Sequence, residues 1–390
     1  MISVSEARAA LFQLSSVTEV EQVPLAQANG RVLAQPVSAT RDQPPFSASA
    51  MDGYALKRHE VELHAMFQVI GEAAAGHRFD GTLKAGQAVR IFTGAPVPDG
   101  ADFVVIQEDV GRKKDLITIL NHPGDSDNIR PRGGDFSIGQ TVNAPRLLRA
   151  SDVALLAAMN IPVVPVFRRP VVALISTGDE LVMPGGTPGP DQIIASNTFG
   201  LKAMLEEFGA EVRILPIAKD NEPSLKMAFS LARDVDLVVT IGGASVGDHD
   251  LVAKVSADLG MERSFYKVAM RPGKPLMAGR MGKTAMVGLP GNPVSAMVCG
   301  HIFLRPMIQS MLGLQPGVEP LQTATLTHEL AANGPREHYM RATVAAGKVT
   351  VSPAQDSSLL TVLADANALL ILPPNAPAQR PGETLQYLPI

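Results

Sequence analysis

The chain of 390 residues has no tryptophan, four tyrosines and a single cysteine. With 34 Lys and Arg against 38 Asp and Glu, its formal net charge is −4. It therefore offers neither an aromatic stacking platform nor a broad basic face, and nucleic acid is excluded as a partner. Any nucleotide it handles is small. Cys299 alone cannot close an internal disulfide or build a Cys₂ or Cys₄ zinc site, which fits a reducing compartment. No uninterrupted run of about 18 apolar residues occurs, and Met1-Ile2-Ser3 with Glu6 lacks the basic and apolar regions of a leader. A cytoplasmic, soluble protein without a membrane partner is expected. What the chain does have is 46% hydrophobic residues and enough length for two to three domains of roughly 150 residues each.

Ser3-Val4-Ser5-Glu6 has capping-box spacing and Ala7, Leu11 and Leu14 follow on one face, predicting an opening helix. A second short helix is expected at Ala26 to Ala34. Pro44-Pro45 then breaks all periodicity. Short β-like runs follow (Phe67 to Ile70, Ala88 to Phe92, Phe103 to Gln107, Leu116 to Leu120), separated by Gly, Pro, Asn and Asp, as in an all-β domain. Ser151 to Met159 returns to helix. From Arg169 strand and helix alternate, the sign of a parallel sheet with crossover helices. Strands are predicted at Pro170 to Ile175, Val212 to Ile217, Asp236 to Ile241, Phe265 to Met270 and Ala285 to Leu289. Helices are predicted at Thr198 to Phe208, Leu225 to Ala232, Leu251 to Leu259 and Pro293 to about Met311. Gly313 to Pro320 reads as a linker, and Leu321 to Ile390 as a small β domain.

In an open α/β sheet the ligand crevice lies at the carboxyl ends of the strands. After Ile241 comes Gly242-Gly243-Ala244-Ser245-Val246-Gly247-Asp248-His249-Asp250. Its glycines let backbone amides approach a phosphate, and its carboxylates beside a phosphate suggest Mg²⁺. Asp248 stands where a Walker lysine is required, so no NTPase loop is present. The stretch also spells G-x-S-x-G, which would make Ser245 a hydrolase nucleophile with Asp258 and His301, His328 or His338 as partners. A tight turn with an N-cap acid explains the same residues without chemistry. Ser176-Thr177-Gly178-Asp179-Glu180, Lys219-Asp220-Asn221 and Pro290-Gly291-Asn292-Pro293 follow other strands; helix capping is the plain reading of each. Lys267, Arg271 and Lys274, two of them on one side of an extended segment by strand alternation, suit an oxyanion or pyrophosphate.

Taken together, PPFSASAMDGYA (from Pro44), RIFTGAPVP (from Arg90), IRPRGGDF (from Ile129), ISTGDEL (from Ile175), IGGASVGDHD, RPGKP and LPGNPVSA resemble the molybdopterin molybdenumtransferase family, related to the E domain of gephyrin. The resemblance implies an α/β plus β multidomain chain. Its parts would be an extended helical segment at 1–45 with 145–167, a β domain at 46–144, a three-layer α/β molybdopterin-binding domain at 168–315, and a C-terminal β barrel at 316–390. It implies Mg²⁺-dependent insertion of molybdate into adenylylated molybdopterin with release of AMP. It also implies a homodimer whose sites join the α/β domain of one chain to the β domain of the other, with a molybdopterin adenylyltransferase and apo-molybdoenzymes as further partners. By the same resemblance Asp52, Asp135, Asp220 and Asp250 are catalytic, and Glu180, Asp220 and Asp250 hold metal. Thr93, Arg130, Ser176, Gly178, Asn197, Gly242, Gly243, Ser245, Gly247, Lys267, Arg271, Lys274, Pro290 and Asn292 bind substrate. Three positions depart from the family pattern: Arg271 replaces a frequent Lys, Ala195 a frequent acid, and Ser357-Ser358 a frequent Ser-His pair. A non-catalytic, gephyrin-like scaffold is the remaining alternative.

Overall fold

A computed structural model describes residues 1–122, 124–243, 251–315 and 321–390. They fall into two compact units, Gln22–Val166 and Met1–Glu21 with Phe167–Ile390. Ser245, Gly247, Asp250 and part of the linker at Gly313 to Pro320 lie outside the described residues.

In the first unit a six-stranded sheet runs in the order Phe103–Ile106, Gly53–Leu56, Gln87–Ile91, Met66–Ala73, Leu116–Ile119, Val110–Lys113. Alternation gives it two buried faces. Tyr54, Leu56, Phe67, Phe103 and Val105 pack on one side, while Ala55, Val89, Ile91 and Val104 pack on the other. A separate four-stranded sheet places Val20–Pro24 beside Val163–Phe167, followed by Val32–Leu33 and Arg146–Leu147. The expected helix at Ala26 to Ala34 does not form. Only one tight turn, Leu25–Gln27, stands there, because Gly30 takes a left-handed conformation (φ 73°) and Val32–Leu33 joins the sheet. The helix Ala150–Ala158 does form, and the Asp152 carboxylate accepts from the Arg149 N–H at its start.

The second unit opens on the helix Val4–Leu14, closed by the predicted Ser3/Glu6 capping box. Its sheet has the order Glu211–Ile214, Val171–Ser176, Leu237–Ile241, Thr284–Leu289, Met277–Met281, Met261–Tyr266. The first four strands are parallel, but the last two are antiparallel. The expected strand Phe265 to Met270 is thereby corrected. The strand ends at Tyr266 because Lys267 is left-handed (φ 67°). Lys267 and Arg271 therefore do not share one extended segment.

The helices Asn197–Glu207, Glu222–Leu231 and Leu251–Asp258 stand close to their predicted positions. The long apolar helix is Pro293–Cys299, a widened turn at Gly300–Leu304, then Arg305–Met311. Pro306 has no N–H to give to the preceding turn, and the helix widens where that bond is missing. Beyond it, five strands in the spatial order Glu337–Ala345, Lys348–Val351, Gln322–Leu326, Thr384–Pro389, Ala368–Leu372 close into a barrel through pairing of Glu337–Ala345 with Ala368–Leu372, and the short strand Met270–Arg271 adds alongside Glu337–Ala345. Its interior holds Leu326, Ala342, Val349, Val351, Leu370 and Tyr387. No helix among the described residues is long and apolar enough to cross a membrane.

Candidate active site

The carboxyl ends of the parallel strands open onto a cavity of about 1180 Å³, where a doubly wound sheet places its ligand. The strand Val171–Ser176 continues into a loop held between its neighbours. Thr177 N donates to Ile241 O at 3.0 Å, Gly178 N to Ala218 O at 3.1 Å, and Ala218 N to Ser176 O at 2.9 Å. These bonds bring Glu180 and Asp220, forty residues apart in sequence, to the wall of one cavity.

Helix capping accounts for neither acid. After Glu180 the chain enters the short strand Leu181–Val182, which pairs with Ile193–Ile194. Asn221, not Asp220, caps the next helix, its Oδ1 accepting from Ser224 N at 2.9 Å. Asn292 occupies the N-cap position of Pro293–Cys299 without a side-chain capping bond. Its amide donates instead to Ser357 Oγ at 3.0 Å. Asn197 Nδ2 donates to Gly291 O at 2.7 Å, which ties the start of its helix to the 290–292 turn.

Gly242 and Gly243 are required by geometry before any ligand is considered. Both are left-handed, at φ 88° and 66°. A Cβ at 242 would stand 2.8 Å from Thr177 O, and one at 243 only 2.4 Å from Val252 Cγ2.

Of the residues singled out in the sequence, Ser176, Gly178, Glu180, Asn197, Asp220, Gly242, Gly243, Pro290 and Asn292 line this cavity. Lys267, Arg271 and Lys274 do not, although Pro275, next to Lys274, does. Sequence reasoning missed Thr177, Thr198, Lys254 and Ser358, which also line it. Lys254 pairs with Glu222, and that hydrogen bond raises its pKa above the usual lysine value. No strand-end signal points to Lys254, which sits inside a helix. Ser358 had one signal, the departure at Ser357-Ser358. None of the three histidines considered for a hydrolase lines this cavity. His301 faces a different cavity of about 530 Å³, and His338 is buried on a barrel strand.

Asp52, Thr93, Arg130 and Asp135 belong to the unit Gln22–Val166, which gathers their motifs. Ile129–Arg130 pairs with Ala48–Ser49, and Ser49 N donates to Ala95 O while Gly94 N donates to Ser49 O. The Asp52 carboxylate accepts from both the N–H and the hydroxyl of Thr93, each at 2.8 Å. The Thr93 backbone bond, then its hydroxyl, holds Asp52 below the usual carboxylate range. Asp135 is exposed, and its N–H donates to Gln43 O at 2.9 Å.

Residues 173–310, which carry this sheet and cavity, match the family model of a probable molybdopterin binding domain, and this sets their class. Residues 2–160 match the MoeA N-terminal region (domain I and II), and residues 323–390 the MoeA C-terminal region (domain IV). A curated relative from Nostoc sp., named molybdopterin molybdenumtransferase, is 39% identical over 93% of this chain and 86% of its own length. One of the same name from Haemophilus influenzae is 36% identical, covering 82% and 80%. A crystal structure of the molybdopterin biosynthesis moeA protein from Pyrococcus horikoshii OT3 aligns over 100% of both chains, with TM-score 0.86 and 27% identity. The chain belongs to the MoeA family of molybdopterin molybdenumtransferases, and it is an enzyme.

Proposed function

We propose that the chain inserts molybdate into adenylylated molybdopterin with the help of Mg²⁺ and releases AMP. The observation that carries this reading is the single cavity in which Glu180 and Asp220 meet the Gly242-Gly243 turn and Asn292. The Gly242 N–H is already given to Leu289 O, so the diphosphate falls to Gly243 and the residues that follow it. Asn197 and Asn292 supply neutral polar edges that can orient the ligand. Lys267, Arg271 and Lys274 attract the dianionic molybdate by charge.

The donor set fits Mg²⁺. Among the described residues no three His, Cys, Asp or Glu side chains stand close enough to hold an ion by themselves. Mg²⁺ is commonly bound by one or two carboxylates together with substrate phosphates and water. Glu180 and Asp220 would hold it, with Asp250, which lies outside the described residues, as the third acid. When bound, the ion would neutralise the diphosphate and favour cleavage of the anhydride.

In this reading a second copy of the chain brings its Asp52, Thr93, Arg130 and Asp135 to the cavity. A molybdopterin adenylyltransferase delivers the substrate, and apo-molybdoenzymes receive the product. The single buried thiol, Cys299, suits work in the cytoplasm.

Purified protein given adenylylated molybdopterin, molybdate and Mg²⁺ should release AMP, measured by chromatography. Chelation should stop the release and added Mg²⁺ should restore it. Metal-replete wild-type protein that releases no AMP would overturn the reading. A scaffold that catalyses nothing predicts the same null for wild type and for Asp220→Ala, whereas the enzyme reading predicts loss only in the variant, with oligomerisation kept.

A further inference from the structure

The backbone of Lys267 is left-handed, at φ 67°. Residues other than glycine seldom stay in that region unless their neighbours over-determine it. Four backbone hydrogen bonds do so here. Lys267 N donates to Leu276 O at 2.9 Å and Val268 N to Lys274 O at 3.1 Å, folding the segment 267–276 back on itself. From the opening of the chain, Ile2 N donates to Lys267 O at 3.1 Å and Ile2 O accepts from Ala269 N at 2.7 Å, a parallel bridge centred on Val268. Ile2 stands directly before the Ser3/Glu6 capping box, so this strap hangs from a helix whose start is itself fixed.

The barrel takes the remaining bond of Ala269: Glu337 N donates to Ala269 O at 3.0 Å. Val268 is fully buried at the bridge, so the turn cannot shift without uncovering it. The Lys267 ammonium lies 4.9 Å from the centre of the Tyr266 ring, a cation–π contact that steadies the tip of the side chain as the strap steadies its base. The segment so fastened carries Lys267, Arg271 and Lys274 and runs on to Pro275 in the cavity wall. Folding alone does not call for lysine at this turn, since glycine takes the same conformation without steric cost. A strained backbone and a charge coincide at one residue, as they do in ligand clamps.

We infer that Ile2 is a positioning residue: its backbone straps the 267–269 turn in the form that presents Lys267 to an incoming oxyanion. The opening residues of the chain thus serve the capture of molybdate without touching it. The inference rests on the functional reading above in taking molybdate as the anion.

The test compares wild type with Ile2→Pro, Ile2→Gly, Ile2→Val, Lys267→Met and the double variant Ile2→Pro, Lys267→Met in the full chain. It reads amide hydrogen exchange without ligand, calorimetric binding of molybdate alone, and the molybdate dependence of AMP release. Ile2→Pro removes the N–H given to Lys267 O. Exchange at Val268 and Ala269 should rise at least about tenfold while the helix Val4–Leu14 keeps its protection. Molybdate affinity should fall about fivefold, the size of one lost hydrogen bond, and KM for molybdate should rise to match with kcat within about twofold. Ile2→Gly keeps the N–H but loosens the strap, and should move exchange and affinity the same way by less. Ile2→Val should behave as wild type. Lys267→Met should lose affinity with exchange unchanged, and the double variant should bind no worse than Lys267→Met alone.

Unchanged exchange at 268–269 in Ile2→Pro and Ile2→Gly overturns the strap; if Ile2→Pro does not fold, Ile2→Gly against Ile2→Val decides. Faster exchange with undiminished molybdate affinity overturns the link to the anion. A double variant that sums the two losses overturns action through Lys267, and a fall in kcat at constant KM overturns capture as the step served. Wild type that binds molybdate but releases no AMP overturns the functional reading, while the binding comparison still decides the role of Ile2. Wild type that binds no molybdate overturns the inference outright.

Discussion

His301 and His338 are both held neutral by their surroundings. Burial lowers the pKa of His301 from 6.5 to about 4, with a further push from Arg305. Burial does the same for His338, again to about 4, helped by Arg271, Arg341 and Arg336. In the unfolded chain these imidazoles take up protons near 6.5. Between the two values the unfolded state binds more protons, so this contribution to stability is complete above pH 6.5 and is lost as pH falls toward 4. The melting temperature should therefore fall across that window, and the double variant His301→Gln, His338→Gln should show a shallower fall. Equal slopes for variant and wild type would refute the assignment.

At this scale the cavity acids were legible because they lie in the loops that follow strands of a parallel sheet, Glu180 beyond Ser176 and Asp220 beyond Ile214, where such a sheet opens its ligand crevice. The full burial of Arg341 on the strand Glu337–Ala345 was not legible, since a lone arginine on a strand reads as a solvated face until its neighbours are known.

At the scale of elements, the segment Asp52-Gly53 shows how the choice of a residue can be set by the backbone. A Cβ on Gly53 would stand 1.8 Å from Val105 O on the neighbouring strand. Gly53→Ala should therefore destabilise the unit Gln22–Val166 by about 3 kcal/mol or more through overpacking, and should displace Asp52 from Thr93. Denaturant unfolding of the separately expressed unit checks this; a change of less than about 1 kcal/mol would mean that the strands separate easily at this point.

The helices of the α/β region were readable from apolar periodicity and stops such as Gly209. The strand Met277–Met281 was not, because Met-Ala-Gly-Arg-Met has no β-branched residue and its pairing comes from antiparallel neighbours. The missed end of the strand at Tyr266 has a related cause. The left-handed turn at Lys267 is fixed by tertiary bonds, Lys267 N to Leu276 O and Ile2 N to Lys267 O, and local sequence carries no trace of them.

For the whole molecule, the proposed exchange of surfaces between two copies makes a quantitative prediction. Asp52→Ala and Asp220→Ala each remove a group from a different unit, so each should be inactive alone. Mixed and re-equilibrated, half the dimers would be hybrids with one intact site each, and AMP release should return to about a quarter of the wild-type rate. No recovery, with subunit exchange shown by light scattering of tagged chains, would place both residues in a site made by one copy.

The change of pattern at Arg169 falls close to the boundary between the two units at 166–167, whereas the double proline at 44–45 lies inside the unit Gln22–Val166. The grouping of residues 1–21 with the distant C-terminal portion was not readable, since it rests on contacts such as Ile2 N to Lys267 O, across most of the chain. The chain leaves that unit after Glu21 and returns to it at Phe167. Arg168 N donates to Glu19 O at 2.8 Å, and Val20–Pro24 lies beside Val163–Phe167. The intervening unit is thus a cassette with adjacent ends, so a gene lacking it could be rejoined across a short splice, and the cassette could be grafted elsewhere.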